Sequence, residues 1–510
     1  MVKVIIHRAI GQLVRKPKLL ITPSLALRSV TSKSGLGVYA SSDNLFKGAV
    51  FGRDSLVVAE DLMTLRPALV KRIILTMVRL QGLSHHSANE EEPGKIVHEY
   101  RSKVVDGKPL SGRQKDIFDD LSQRWGGDGT RLVYYGSVDS TPFFIRVLCG
   151  YCDFYGPKIL QQKVTRRDGQ AVTVLDAAFQ ALKWLEDKLD KSKSGLLEYY
   201  AHNDHGIKNQ AWKDSNEFYV HENGRSVNHE RPIASIEVQG LAYDALIGAA
   251  ALFPEEADEL RSRAQRLRDR TIELLWQPAK SYFALGADYD QKGNLRMIRT
   301  TTANPASLLN SSLFDGLPLN DRKEFVGGIV RNIMGTDFLT DAGIRSRALS
   351  GAGLIPFWDY HGSYVSWPKE TYDIANGLRR QGFPELCRQL ENRLLNVVRK
   401  NRGYPEFLYV DPRGRVLGSS SHAHRHTHAI QIRSTNVPEN IQAWTVSAVV
   451  ATIANRRPGI RLGGYKQTEW QARIEKEVLT HIPKVDRFKT SHSLSARYPD
   501  YPYELNQEHF

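Results

Sequence analysis

Cysteine is scarce in this chain, three in 510 residues. Three thiols cannot build a disulfide framework, and such sparse usage fits a reducing cytoplasm. Long apolar runs are missing as well. A membrane-spanning helix needs about 18 or more consecutive apolar residues. The nearest candidate, 232–254, is interrupted by Glu237 and Asp244 and reads as a buried helix. The first 28 residues contain no continuous apolar region, because Arg8, Arg15, Lys16 and Lys18 break it. No secretory signal is therefore expected. Period-2 alternation is rare and short, which argues against a β-rich body. The basic excess, a net charge of +14, is not organised: Lys and Arg are spread along the whole chain. No recognised nucleic-acid motif accompanies them. A basic, solvated surface is the expectation, with neither nucleic acid nor membrane as a partner.

Apolar residues make up 41% of the chain and charged residues 25%, ordinary values for a globular protein. Its length is ample for one large core. Apolar residues recur at helical spacing over 56–83, 172–189, 233–253, 255–276, 322–333, 384–398 and 441–453. Between these stretches lie segments rich in glycine, aromatics and carboxylates: 51–54, 134–142, 212–217, 357–368 and 403–409. Helix, polar-aromatic loop, helix is the rhythm of a toroid of helical hairpins that gathers its function on loops at one end. The reading is all-α, with residues 1–45 as an irregular N-terminal arm, 46–483 as the helical body and 484–510 as a surface tail rich in Ser, Tyr and Pro.

Two loops carry carboxylates in settings that suit sugar chemistry. Asn209-Gln210-Ala211-Trp212-Lys213-Asp214-Ser215 places an acid beside an indole that could stack on a pyranose, and apolar surroundings raise a carboxyl pKa toward proton donation. The plain alternative is an Asp that caps the next helix. Gly403-Tyr404-Pro405-Glu406-Phe407 fixes a glutamate in an aromatic-flanked turn, which by itself is only a turn. Glycoside hydrolysis needs two carboxylates flanking the scissile bond, but 56 acidic residues allow many pairs. Two other patterns read as structural. Cys149 and Cys152 have redox or zinc spacing but sit in an apolar helical run, 143–154, with no second pair. His422, His424, His426 and His428 would share one face of an extended segment, but no carboxylate lies nearby to complete a metal site. No metal or cofactor is expected.

An ordered series of segments selects among the carboxylates. It runs Phe51-Gly52-Arg53-Asp54, Glu92 to Arg101, Tyr135 to Pro142, Gln210 to Ser215, Glu237 to Tyr243, Asn304-Pro305, Tyr360 to Pro368, Tyr404 to Phe407 and Gln442-Ala443-Trp444. In that order the chain resembles the helical-barrel glycoside hydrolases of the amylo-α-1,6-glucosidase, or glycogen-debranching, type. Relatives of that type include trehalases, glucosylglycerate and mannosylglycerate hydrolases, and glucoamylases. The resemblance covers roughly residues 45 to 455. It implies an (α/α)6 barrel and hydrolysis with inversion at the anomeric carbon, Asp214 being the acid and Glu406 the base. It also implies that Arg53 and Asp54 clamp sugar hydroxyls. His98, Glu99, Arg101, Tyr135, Asp139, Trp212, Lys213, Gln239, His361, Trp367, Gln442 and Trp444 would line the same pocket. Where relatives often carry Trp-Asp after Lys-Asp-Ser, this chain has Asn216-Glu217, so Glu217 is a rival acid. Release of glucose from branched dextrin is the leading activity that the resemblance implies. The short segment before residue 46 favours a small α-glycoside (trehalose, glucosylglycerate or mannosylglycerate) as the alternative, and a barrel that binds carbohydrate without turnover is a third.

Overall fold

The computed structural model describes residues 21–356, 359–418, 438–456 and 466–483. Thirteen α-helices are found among them: α1 (Pro23–Val30), α2 (Gly52–Asp61), α3 (Pro67–Arg79), α4 (Gly112–Trp125), α5 (Ser140–Tyr155), α6 (Val174–Lys191), α7 (Ile236–Leu252), α8 (Ala257–Leu275), α9 (Leu319–Ile333), α10 (Pro368–Arg380), α11 (Pro384–Asn401), α12 (Ala443–Asn455) and α13 (Glu469–His481). Composition explains which of them go inside. α7 and α12 are apolar and alanine-rich on nearly all sides and are buried almost throughout. α8, by contrast, buries one stripe, Leu260, Ala264, Leu267, Thr271 and Leu275, and turns its arginines and glutamates to solvent. No single described helix is long and apolar enough to cross a membrane.

The inner elements follow one another in a ring. α2 packs on α5, α5 on α7, α7 on the 3-10 turn Asn304–Asn310, that turn on α10, α10 on α12, and α12 back on α2. The second members α3, α6 and α8 lie against α2, α5 and α7, α9 against the 3-10 turn and α11 against α10, while α13 packs on α9 and α11. The 3-10 turn fits because its neighbour offers no side chain at the contact: a Cβ on Gly377 of α10 would stand 2.6 Å from Leu309 Cβ and 2.9 Å from the Asn310 nitrogen. Local chemistry fixes the helix ends. Thr173 and Asp176 form a reciprocal capping box at the start of α6, each backbone N–H donating to the other's side chain at 3.0 Å. Lys188 and Lys191 sit in its last turn, where the helix dipole favours cations.

The helical body expected from the sequence is present, and among the described residues seven small antiparallel sheets, which the all-α reading did not include, lie between the helices. Their strands are two to four residues long, too short to register as period-2 runs. Two of these sheets position the site. In one, Val50–Phe51, Glu99–Ser102 and Arg131–Tyr134 pair with Phe51 opposite Glu99 and Glu99 opposite Tyr134. Alternation buries Glu99 and Arg101 and leaves Tyr100 and Ser102 half-buried. In the other, Val365–Ser366 and Leu408–Val410 bring the segments before α10 and after Glu406 together. Residues 21–45, read as an arm, carry α1 packed on α12, and the Ala443 N–H donates to the Ala40 carbonyl at 2.8 Å. Residues 1–20, the 484–510 tail and the His422–His428 run lie outside the described residues.

Candidate active site

One cavity, of about 1410 Å³ including its open mouth, collects most of the residues singled out in the sequence. Its inner wall is aromatic. The Trp212 ring meets Trp367 edge-on at 5.1 Å, Trp444 at 5.2 Å and His361 at 5.6 Å. The neighbouring Lys213 fixes the loop: its ammonium, fully buried, pairs with Glu370 of α10 at 2.7 Å. That anchor leaves Asp214 lining the cavity, with 24% of its side chain exposed. Tyr360 donates its hydroxyl to Asp214 Oδ1 at 2.7 Å, His361 Nε2 lies 3.4 Å from the same oxygen, and Arg53 Nη1 is 3.8 Å from Oδ2. Burial alone would raise the Asp214 pKa, but His361, Arg53 and Tyr360 outweigh it and bring the group down to about 2.

Glu406 sits opposite in electrostatic character. Its loop is zipped to 439–442 through Tyr404 N–H to Asn440 O (2.9 Å), Glu406 N–H to Glu439 O (3.0 Å) and Gln442 N–H to Tyr404 O (2.9 Å). The carboxylate accepts from the Glu439 N–H at 3.1 Å and is 8% exposed. Burial pushes its pKa well above the usual range, and the nearby carboxylates of Glu439, Asp54 and Asp214 add to the shift. Asp54 is pushed up to about 7, chiefly by burial and against the pull of Arg53, and it accepts from Gln442 Nε2 at 3.1 Å. Glu439 is also raised to about 7 by burial. The two carboxyls are thus shifted in opposite directions, Asp214 down and Glu406 up.

Arg53 is locked from behind. Asp139 receives its Nε at 2.6 Å and its Nη2 at 3.1 Å, a bidentate buried pair at the start of α2. Gly52 makes this approach possible, since a Cβ there would fall 2.0 Å from the Val97 carbonyl oxygen. Asp139 thus acts through Arg53 and does not itself line the cavity. His98, Glu99 and Arg101 do line it. His98 is held neutral, its pKa lowered to about 3 mainly by burial, and Arg101 pairs with Glu99.

The model for the mannosylglycerate hydrolase MGH1-like glycoside hydrolase domain matches residues 159–427, more than half of the chain. The chain belongs to this family. It is a glycoside hydrolase. Solved structures with the same fold include the GH63 mannosylglycerate hydrolase of Thermus thermophilus in complex with glucose, at 13% identity and TM-score 0.51, covering 85% of this chain and 99% of that one. The same enzyme in complex with Tris aligns at 15% identity and TM-score 0.52, over 86% and 100% of the two chains. Its complex with Tris and D-glycerate aligns at 13% and TM-score 0.50, over 85% and 100%. No curated protein matches the chain in sequence. Membership supports the broader glycosidase reading and not the specifically glycogen-debranching one.

Besides Asp139, four further sequence assignments are corrected within this MGH1-like domain and the segments flanking it. Tyr135 donates its hydroxyl to the Leu80 carbonyl at 2.7 Å under the Arg167 guanidinium, so it supports the loop and lies outside the cavity lining. Gln239 spends its amide on the Leu197 N–H and C=O and the Ser235 carbonyl, at 2.8 to 2.9 Å. Lys213 is a buried anchor on Glu370 and not a cavity group. Glu217 is exposed and does not line the cavity, so Asp214 is the carboxylate of that loop that does. Several lining residues were not foreseen. Tyr360, Phe51 and Phe407 stood in matched segments yet were not singled out; Phe46, Glu439 and the wall formed by α4 carried no readable signal. The Cys149/Cys152 pair lies on α5, where Cys149 is buried at the contact with Gly248 of α7. Burial pushes the Cys152 thiol up to about 11, the opposite of a reactive cysteine. Among the described residues, no three His, Cys, Asp or Glu side chains gather as a metal site.

Proposed function

We propose that this glycoside hydrolase is an inverting enzyme acting on small α-glycosides, with Asp214 as general acid and Glu406 as general base. The observation that carries the reading is that these two carboxyls line a single cavity walled by Trp212, Trp367 and Trp444, with Arg53 and Asp54 beside them. Indole faces suit a pyranose, and a carboxyl with an adjacent guanidinium suits sugar hydroxyls. Glu406 would deprotonate water at the anomeric carbon while Asp214 protonates the departing oxygen. The hydroxyl of Tyr360, 2.7 Å from Asp214 Oδ1, orients that carboxyl in the cavity. The closed ring of inner helices supports the (α/α)6 toroid as the scaffold.

The family favours a glycosylglycerate-like substrate over branched dextrin. Mannosylglycerate and glucosylglycerate are accordingly the first substrates to assay, beside trehalose and a branched dextrin. Glu406→Gln and Asp214→Asn should each remove nearly all turnover of whichever α-glycoside is cleaved, while circular dichroism stays that of the parent. Retention of near-parental kcat in either variant would overturn the assignment.

A further inference from the structure

The cavity has a second half. Beyond the tryptophan wall it is bounded by Leu45, Phe46, Phe51, Ile117, Leu121 and Ile207, all partly exposed. Two of these come from α4, a helix that packs against the turn Asn44–Phe46. One face of α4 is spent on a small core of its own, in which Phe118 and Trp125 join Leu132 and Tyr134, Trp125 stacking on Tyr134 at 4.0 Å. Ile117 and Leu121, one turn apart, line the cavity, and Leu121 and Ile207 also pack against that core. Phe46 and Phe51 meet edge-on at 5.2 Å beside them.

The cations of the same cavity are already committed. Arg53 is paired with Asp139, Arg101 with Glu99 and Arg124 with Asp120. His98 and His361 are both buried and held neutral at physiological pH. The buried cations of the lining, Arg53 and Arg101, are thus each held by an acid, and Arg124 forms an exposed pair at the rim.

We propose that this outer half is an aglycone site for an apolar group, such as an aryl or branched alkyl alcohol, and that Ile117 and Leu121 set this preference. The inference rests on the hydrolase reading above and names the leaving group that the reading leaves open.

The test compares benzyl, methyl and glycerate α-glycosides of one sugar, in a mannose and a glucose series. Benzyl and methyl alcohols are of similar acidity, so a gain for benzyl reports contact with the protein. The expected result is a kcat/KM for the benzyl glycoside about tenfold or more above that for the glycerate compound, the scale of burying one ring. Leu121→Ser and Ile117→Ser should each lower the benzyl-to-methyl ratio severalfold. A glycerate compound turned over as well as or better than the benzyl one would overturn the inference and leave the hydrolase reading intact, as would a benzyl-to-methyl ratio that neither substitution changes. If the parent turns over neither these glycosides nor trehalose, the small-α-glycoside reading falls. Calorimetry on the parent then decides the aglycone question, with tighter binding of the benzyl compound supporting the apolar site and equal or weaker binding overturning it.

Discussion

The two halves of the cavity are built by different means. The inner half is assembled from the ends of ring elements: Arg53 and Asp54 open α2, Trp367 precedes α10, and Gln442 and Trp444 begin α12. Its side chains are buried, cross-bonded and rich in charge, and a shift in one carboxyl is felt by the others. The outer half comes from α4 and the turn at 44–46, outside the ring, and works through apolar area with little charge chemistry. The charged groups and the apolar wall of the cavity are thus placed on separate pieces of the fold, with Asp214 and Glu406 on loops between elements.

Substitutions can break that comparison, and the largest effect belongs to the inner half. Glu406→Gln and Asp214→Asn should each lower kcat by about 10³-fold or more, as expected where an acid or base is removed from a single-step displacement. Steady-state kinetics on any accepted α-glycoside checks this. Next comes Arg53→Met. It strands Asp139, a buried carboxylate, and should destabilise the protein by about 3–5 kcal/mol, visible in urea unfolding.

Asp54→Asn should do the reverse to stability. The folded-state pKa of Asp54 is about 7, raised from 3.8. The folded protein therefore holds a proton that the unfolded chain releases, and stability falls as pH rises between those values. The Asn variant escapes this loss. It should gain about 1–3 kcal/mol at pH 8 and little at pH 4, while binding sugar less well. Equal Tm shifts at both pH values would contradict the buried-acid account. Smaller still, Tyr360→Phe removes the 2.7 Å donor to Asp214 and should move the acid's pKa upward, detected as a displaced limb of the pH–rate profile. Glu217→Gln should leave kcat within about twofold, since an exposed side chain outside the cavity has no part in the chemistry.

What was legible in the sequence follows the same division. The inner half could be read because its residues lie in segments that recur in order along a known family, and Asp214, Glu406, Arg53, Trp212, Trp367 and Trp444 are all brought to one cavity. A matched segment marks a loop, however, and not the direction of each side chain on it. Tyr135 and Gln239 belong to matched segments, yet both spend their polar groups on neighbouring backbone, as buried polar atoms must. Lys213 and Asp214 are adjacent and diverge because only one of them meets Glu370. Apart from Phe51, the outer half left no readable trace. Ile117 and Leu121 have the spacing of an ordinary core stripe, and only their place beside the cavity distinguishes them. The small sheets escaped for a similar reason, since two-residue strands are set by their partners across the loop and not by their own pattern.

The stereochemistry of the first product tests the central claim most directly. An acid–base pair that activates water for single displacement inverts the anomeric centre, so proton NMR of an α-glycoside digest should show the β-anomer of the released sugar first, with the α-anomer appearing only through mutarotation. Initial release of the α-anomer would contradict the assignment of Glu406 as base and Asp214 as acid.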